Sequence, residues 1–303
     1  MRAPAAGAPP ADERADGPRH VARWWRAMPD GRLRCELCPR RCTLRDGQRG
    51  FCFVRARVGD AIVLTTYGRS SGFVLDPIEK KPLAHVLPGS TILSFGTAGC
   101  NLACKYCQNW EISTSRQFET LAAPAAPRAL AAAAADVGAV GVAFTYNEPT
   151  LQAEYILEAA PLLRENGIAV VLVTNGVMSE PAAMELLSCT DAANVDLKAF
   201  DTERYRRLGG SLDAVKANIA SWVRGGVHVE LTHLVVPGLV DPGEGFDAMT
   251  DWIAALSPSV PLHLSRCFPA WQHFAPPTDT ELLYSLADRA RGKLRHVHLG
   301  NVR

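Results

Sequence analysis

The chain has 303 residues, of which 48% are hydrophobic and 21% charged, a composition typical of a globular protein. Its formal net charge of +1 gives no indication of a nucleic-acid or membrane partner. No stretch approaches the roughly 18 uncharged apolar residues that a membrane-spanning helix requires.

Residues 1–30 are predicted to form a disordered tail. The first part, MRAPAAGAPPADERADGPRH, is rich in Ala and Pro, carries charges of both signs and lacks the apolar core of a secretory signal peptide. We therefore expect a cytoplasmic protein. In that compartment, clustered cysteines bind metal or carry out redox chemistry rather than form disulfides.

Residues 31–90 are predicted to form a small cysteine-rich N-terminal region. Four of the nine cysteines follow the pattern C-x2-C-x3-C-x9-C, namely Cys35, Cys38, Cys42 and Cys52. Four thiolates can close a tetrahedral zinc site or hold an iron–sulfur cluster, and the spacing leaves this choice open. Free, unmetallated thiols are the alternative. Short strand-like segments punctuated by Pro and Gly follow over residues 60–90.

Residues 91–303 are predicted to form one α/β domain, because short apolar segments alternate with helical ones as in βα units. The predicted strands are residues 92–95, 140–145, 169–174, 192–197, 228–236, 261–265 and 296–299. The predicted helices lie near residues 128–137, 150–166, 179–188, 211–224, 244–256 and 279–291. Each strand ends in distinctive polar residues. Since the carboxyl ends of parallel strands meet at one face of an α/β barrel, we expect the active site there.

The most specific motif is a C-x3-C-x2-C run formed by Cys100, Cys104 and Cys107, with Tyr106 directly before the last cysteine. Thiolate is the soft ligand that iron–sulfur clusters take. Three cysteines on a 4Fe-4S cluster leave one iron open to a small molecule. Structural zinc is the alternative, but it prefers four protein ligands, and no fourth Cys or His lies within this loop.

The motif resembles the signature of radical S-adenosylmethionine (SAM) enzymes. Further segments are similar to the AmmeMemoRadiSam-system enzymes, which are relatives of pyruvate formate-lyase activating enzymes, and the overall resemblance runs from about residue 33 to residue 302. These segments are residues 35–42, 47–52, 76–82, 107–110, 147–149, 173–176, 194–198 and 236–238. The resemblance implies an α/β fold with a partial (βα)6 TIM-like barrel, to which the cysteine-rich N-terminal region would be a small appendage.

The resemblance also implies cofactors and partners. The amino and carboxylate groups of SAM would bind the open iron, and reductive cleavage would yield methionine and a 5′-deoxyadenosyl radical. A low-potential electron donor of the flavodoxin or ferredoxin type would supply the electron. The family's name points to Memo-like and AMMECR-like proteins as partners.

Candidate cofactor residues follow the predicted strands. Relatives place a Gly-Gly-Glu-Pro segment after the second strand to receive the amino group of SAM, and Asn147 and Glu148 occupy that place here. Glu148 and nearby carbonyls can accept from an ammonium. The alternative, an N-terminal cap for the next helix, is compatible with this role. Thr174 and Asn175 are candidates for hydrogen bonds to the ribose.

Asp196 and Lys198 stand two residues apart at a strand end, so their side chains point to the same face. Lys198 can pair with the methionyl carboxylate, and Asp196 with a ribose hydroxyl or with Lys198 itself. A purely structural Asp–Lys pair is the alternative. Further residues near strand ends could line the substrate cavity or be structural: His233, His263, Arg266 and Asn301.

Three functions remain open at this point. The first is a radical SAM enzyme that starts hydrogen abstraction from an unidentified substrate. The second is an activase that abstracts hydrogen from a backbone glycine of a glycyl-radical enzyme. The third is a non-catalytic iron–sulfur or zinc protein.

Overall fold

A computed structural model describes residues 20–116, 123–239 and 242–302. Most of the predicted disordered tail, residues 1–19, lies outside the described residues. From His20 onwards the chain takes part in strands, so the predicted end of the tail at residue 30 is too late.

Short antiparallel strands make up the N-terminal part of the chain. They are β1 (His20–Val21), β2 (Trp25–Ala27), β3 (Leu33–Cys35), β4 (Thr43–Leu44), β5 (Arg55–Val58) and β6 (Ala61–Leu64). They form two three-stranded sheets, in the orders β1-β6-β5 and β2-β3-β4. The early strands β1 and β2 are ordered because they find backbone partners in β6 and β3.

A larger sheet follows. The remaining strands are β7 (Arg69–Ser70), β8 (Phe73–Pro77), β9 (Thr91–Phe95), β10 (Ala123–Pro124), β11 (Gly141–Phe144), β12 (Ala169–Thr174), β13 (Ala192–Asp196), β14 (His228–Val235), β15 (Leu262–Arg266) and β16 (Val297–Gly300). β7 pairs with β10. The others form an eight-stranded sheet in the order β16-β15-β14-β13-β12-β11-β9-β8. All seven predicted strands are confirmed, with bounds within one residue.

Eight α-helices occur in the described residues: α1 (Trp110–Ser113), α2 (Pro127–Asp136), α3 (Ala153–Glu165), α4 (Glu180–Cys189), α5 (Thr202–Leu208), α6 (Leu212–Arg224), α7 (Glu244–Leu256) and α8 (Thr280–Arg291). All six predicted helices are present, although the one expected from residue 150 starts as a 3-10 turn over Pro149–Gln152. Helix α5 was not predicted. It buries only Tyr205 and therefore shows no apolar period.

The strand order is that of a simply wound α/β sheet. The strands from β9 to β16 in the large sheet are parallel, and each lies beside its predecessor in that sheet. Crossovers between parallel strands are almost always right-handed, which in this strand order puts the helices on one face. Helix α3 packs on β12, α6 on β14 and α8 on β15 and β16. On the other face, Ile78 and Leu83 pack against Ile92, Ala143 and Val171.

Strand β8 is antiparallel to β9 and forms one end of the large sheet. The predicted domain boundary between residues 90 and 91 therefore divides a paired sheet. The periodicity of residues 73–77 did not reveal this, because four of the five residues are exposed at the sheet edge. None of the helices in the described ranges combines the length and the hydropathy that a membrane span requires.

Candidate functional site

The three cysteines of the C-x3-C-x2-C motif lie in the loop between β9 and α1, at the carboxyl edge of the parallel sheet. Cys100, Cys104 and Cys107 are each partly exposed. Gly99 has a φ of +89°, and a Cβ there would lie 2.6 Å from the carbonyl oxygen of Cys52. Only glycine fits this turn. The motif therefore begins where the chain packs directly against the N-terminal cysteine region.

Asn147 is buried and holds the strand end that precedes the motif. Its Oδ1 accepts from the backbone N–H of Thr97 at 2.8 Å, and its Nδ2 donates to the carbonyl oxygens of Ala98 and Gly99 at 3.1 and 3.2 Å. The amide is thus engaged within the protein. It shapes the approach to the first cysteine.

Asn101 and Asn175 are buried against Cys100. The Asn175 Nδ2 donates to Asn101 Oδ1 at 2.8 Å and lies 3.8 Å from the Cys100 Sγ. Asn101 in turn donates to the carbonyl of Val177 at 2.6 Å. Sequence reasoning missed Asn101. The signal was a polar residue in an otherwise apolar stretch between two cysteines.

The Glu148 carboxylate ties the ends of β11 and β12 together. It is buried and accepts from Thr150 through the backbone N–H and the hydroxyl, at 2.9 and 2.6 Å. It also accepts from the Thr174 hydroxyl at 2.6 Å and the Asn175 N–H at 2.9 Å. Burial raises the pKa of this carboxyl, although these hydrogen bonds act in the opposite direction. Its acceptor positions are occupied by the protein's own donors.

Asp196 and Lys198 form an ion pair at the end of β13, with Nζ and Oδ2 2.8 Å apart and side chains 27% and 18% exposed. Burial opposes the charge on Lys198. The negative charges of Asp196 and the Cys104 thiolate outweigh burial and hold the Lys198 pKa above its usual range. The Lys198 backbone N–H donates to the hydroxyl of Tyr205, on the unpredicted helix α5, at 3.0 Å. A fixed cation therefore lies beside the second cysteine of the motif.

The loop after β15 packs against the second half of the cysteine motif. The backbone N–H of Gln272 donates to the carbonyl of Lys105 at 2.9 Å, and the Gln108 Nε2 donates to the carbonyl of Phe268 at 3.2 Å. Cys267 packs near the motif in a small apolar cluster. Strand ends from β9 to β15 thus converge around the motif, as the sequence led us to expect.

The N-terminal cysteines form a second group. Cys35 and Cys38 are buried, whereas Cys42 and Cys52 are partly exposed. A Cβ at Gly50 would lie 3.7 Å from the Sγ atoms of both Cys42 and Cys52. Burial raises the pKa of the Cys38 thiol to about 12, and the three neighbouring thiols act in the same direction. Across the described ranges, no three Cys, His, Asp or Glu side chains stand at the spacing of ligands to one metal ion.

Arg40 lies between the two cysteine groups and was not anticipated. Its Nε donates to the carbonyl of Asn101 at 2.6 Å and its Nη2 to that of Leu208 at 3.2 Å. Its guanidinium carbon lies 3.4 Å from the ring centroid of Phe51. The charge interacts with Cys100 and with three of the N-terminal cysteines. Arg40 therefore joins the N-terminal region to the motif loop.

A buried polar network beside β9 was also missed. The Asp76 carboxylate accepts from Lys81, Ser94 and Tyr146, each at 2.8 Å. Burial raises the pKa of Asp76, but these hydrogen bonds outweigh it and hold the pKa well below its usual range. Tyr146 lies directly before Asn147 and has a φ of +69°. The network thus supports the polar segment that follows β11.

The structure places the residues that were candidates for lining the substrate cavity at two opposite edges of the large sheet. His233 is buried, with its Nδ1 2.8 Å from the carbonyl oxygen of Leu197. Asn301 donates to the carbonyl of Arg266 at 3.4 Å, near the carboxyl ends of β15 and β16. His263 is the second residue of β15 and lies at the opposite, amino-terminal edge. Of the two alternatives left open for His263, its position and its hydrogen bond to Glu230 favour the structural one over a place in the substrate cavity.

Comparisons with known proteins agree with this geometry. The sequence model of the Radical SAM superfamily matches residues 95–252. An uncharacterized protein of Methanocaldococcus jannaschii is 32% identical over 285 residues, which cover 93% of this chain and 85% of that protein. A pyruvate formate-lyase-activating enzyme of Streptococcus mutans is 26% identical over 181 residues, which cover 56% of this chain and 68% of that enzyme.

A solved structure shares the fold. A radical SAM methyltransferase from Sphaerobacter thermophilus matches with a TM-score of 0.53 at 16% identity, covering 93% of this chain and 76% of that chain. At this identity the likeness concerns the α/β fold alone. Taken with the superfamily match over the cysteine motif and the strand ends around it, these similarities show that the chain belongs to the Radical SAM superfamily and is homologous to pyruvate formate-lyase-activating enzymes.

Proposed function

We propose that this protein is a radical enzyme that reductively cleaves SAM at a 4Fe-4S cluster bound by Cys100, Cys104 and Cys107. The cleavage would start hydrogen abstraction from a substrate that the sequence does not identify. The observation that carries the proposal is one loop with three partly exposed thiols, at the carboxyl edge of a parallel sheet in a member of this superfamily. When bound, cluster and SAM supply the electron transfer and the 5′-deoxyadenosyl radical.

The donor set fits a cluster with one open iron. Three thiolates are soft ligands suited to iron–sulfur clusters. Asn101 and Asn147 fix the loop that carries them. A cube also spreads its ligands over different irons, so its cysteines need not stand at single-ion spacing.

We assign the Lys198 ammonium to the carboxylate of SAM, because it is a fixed cation beside Cys104. Asp196 would hold that ammonium in place or bind a ribose hydroxyl. This assignment predicts loss of cofactor affinity, rather than loss of folding, when Lys198 is removed.

We propose that four further residues contribute to the cofactor site by positioning its backbone rather than by direct side-chain contact: Asn147, Glu148, Thr174 and Asn175. The carboxylate and amide groups are engaged with one another and with the cysteine loop. We therefore expect the ammonium of SAM to meet backbone carbonyls of this segment. The side chains would act by keeping those carbonyls in position.

We propose a partial (βα)6 TIM-like barrel, built from the simply wound parallel strands, and membership of the AmmeMemoRadiSam branch. Seven parallel strands in sequential order, with helices on one face, support the barrel. Radical SAM enzymes generally draw their electron from a flavodoxin- or ferredoxin-type donor, and we expect one here. The branch assignment would add Memo-like and AMMECR-like partners.

We further propose that Cys35, Cys38, Cys42 and Cys52 bind a separate metal centre, either an iron–sulfur cluster or zinc. The four thiols lie together in a segment of short strands and turns, and the charge of Arg40 interacts with three of them. Small metal knuckles draw folding energy from the metal, about 10–16 kcal/mol apparent for zinc. Loss of one ligand should loosen this region and leave the large sheet folded.

Anaerobic purification and metal analysis test both sites. The wild-type protein should be brown and give the electron paramagnetic resonance signal of a reduced cluster. The triple variant C100A/C104A/C107A should lose that cluster and keep the N-terminal metal, as iron with sulfide or as zinc. C189A is the control, since Cys189 lies in α4 outside both groups. Unchanged cluster spectrum and iron content in the triple variant would contradict the assignment.

Homology to pyruvate formate-lyase-activating enzymes supports a second candidate, a glycyl-radical-enzyme activase. An activase would bind a large partner and generate a glycyl radical on it, detectable as a protein-based radical signal. Co-purification with such a partner, and the radical signal on adding SAM and reductant, would favour this function.

A further inference from the structure

A histidine cluster lies at the amino-terminal edge of the large sheet, opposite the cysteine loop. Five of the protein's eight histidines meet there: His85, His228, His263, His296 and His298. His228 begins β14, and His263 and His298 are the second residues of β15 and β16. His85 comes from the connection between β8 and β9. The proposed SAM chemistry uses none of them.

Three of these imidazoles span the gap between the two ends of the sheet. In the described residues, no strand pairing joins β16 to β8. From the β8 side, His85 places its Nε2 2.9 Å from the Nε2 of His298. Its ring centroid lies 5.1 Å from that of His298 and 4.4 Å from that of His296. Side chains, rather than backbone hydrogen bonds, therefore connect the two ends here.

Glu230 holds the buried side of the histidine cluster in position. It is fully buried, and its carboxylate accepts from the backbone N–H groups of Ala84 and His85 at 3.0 and 2.9 Å. It also pairs with the Nε2 atoms of His263 at 2.6 Å and His228 at 3.0 Å. With four donors around it, Glu230 is a buried negative charge that holds the backbone of His85. It is not available as a ligand itself.

The three imidazoles at the gap are suited to a cation. Burial, together with the neighbouring histidines, lowers the pKa of His298, so its ring is neutral and offers a lone pair at neutral pH. His85 is exposed and His296 partly exposed, so an ion can reach them. Neutral imidazole is a common ligand of divalent zinc, copper, iron and nickel.

The Nε2 atoms of His85 and His298 lie slightly closer together than two nitrogen ligands of one metal ion. With zinc–nitrogen bonds of about 2.0–2.1 Å, two tetrahedral nitrogen ligands stand roughly 3.4 Å apart. The two Nε2 atoms at 2.9 Å therefore need to separate by about half an ångström. Since no three ligand side chains in the described ranges already have single-ion spacing, the His296 ring must also turn.

We propose that His85, His296 and His298 bind a divalent transition-metal ion, with zinc as the representative, across the gap between β8 and β16. The buried charge of Glu230 would offset part of the ion's charge without coordinating it. The ion would tie the connection after β8 to the last strand. This proposal is independent of the cysteine sites and of the proposed SAM chemistry.

The test uses the anaerobically reconstituted protein, in which the cysteine sites are already loaded, and zinc alone as the probe. Wild type, H85Q, H298Q and the control H20Q receive stoichiometric zinc and are desalted and analysed for metal. His20 stacks on Tyr67, away from the cluster, so H20Q should behave as wild type. We expect one zinc more in wild type and H20Q than in H85Q and H298Q, with at least tenfold weaker binding in the two variants.

X-ray absorption at the zinc edge supplies the second measurement. The additional zinc should show nitrogen ligands, and it should be lost below about pH 6 as protons compete for imidazole. Equal zinc retention in H85Q, sulfur-only coordination, or no additional zinc in wild type would overturn the proposal. His85 is exposed, so H85Q tests the site even if H298Q fails to fold. An unchanged melting temperature without zinc shows that H85Q is folded.

Discussion

A buried ion pair joins the N-terminal region to the large sheet and allows a quantitative test. Arg55, on β5, lies three residues after Cys52 and pairs with Glu154 on α3, the Nη2 lying 2.5 and 2.8 Å from the two carboxylate oxygens. Each side chain is 1% exposed. The backbone N–H of Arg23 also donates to Glu154 at 2.6 Å. Removing either partner would therefore leave the other charge buried without its counter-ion.

We predict that R55M lowers the free energy of unfolding by about 3–5 kcal/mol, the range for breaking a buried pair from one side. The double variant R55M/E154L should recover most of this loss, because replacing both charges with apolar side chains removes the uncompensated charge. R55M should also loosen the N-terminal cysteine region and lower its metal content, since Arg55 follows Cys52 so closely.

Urea unfolding of the metal-loaded protein measures the effect, with midpoints compared at a constant slope. R291M is the reference, because Arg291 and Asp288 form an exposed pair, with side chains 48% and 76% exposed. Exposed pairs contribute about 0–1 kcal/mol. A loss in R55M no larger than in R291M, or a double variant less stable than either single one, would refute the reasoning.

Three further variants test other parts of the account. K198A should weaken SAM binding about 10- to 150-fold, because a charge-assisted hydrogen bond contributes about 1.5–3 kcal/mol; unchanged affinity in equilibrium binding would reject the role. N147A removes the hydrogen bonds that hold the loop before Cys100 and should shorten the lifetime of the cluster under air, measured by loss of visible absorbance; an unchanged lifetime would speak against it. The pKa of Glu230 lies below its usual range because its four donors outweigh burial, so its stabilisation is present above the unfolded pKa of about 4.3 and is lost as pH falls towards the folded value. E230Q should therefore be less stable at pH 7, and it should lose less stability than wild type as the pH falls from about 5 to about 3; the same change of unfolding free energy with pH in both proteins, measured by urea unfolding, would contradict this.

The sequence predicted the parallel strands well because both of their faces are buried, which leaves nearly continuous apolar runs such as residues 169–174. It missed the sheet pairing of β8, whose exposed side chains obscure the pattern. It also missed α5, which buries only Tyr205. Hydrophobic periodicity reflects which side chains are buried, and β8 and α5 each bury only one residue.

The cysteine motif was recognisable because its ligands lie within eight residues of one loop. The histidine cluster was not, since His85 and His298 are 213 positions apart and only the winding of the sheet brings them together. The pattern also could not show which donors surround Glu148. Its place after a strand end suggested a cofactor contact, whereas Thr150, Thr174 and Asn175 occupy the carboxylate.

The most direct test of the central claim is the product formed from SAM by the reduced, metal-loaded protein. Wild type and the control C189A should release 5′-deoxyadenosine and methionine in equal amounts, slowly even without substrate, and C104A should release neither. Methylthioadenosine in their place would show cleavage of a different bond. No turnover by fully loaded wild type under strong reductant would contradict the account and favour a non-catalytic iron–sulfur or zinc protein.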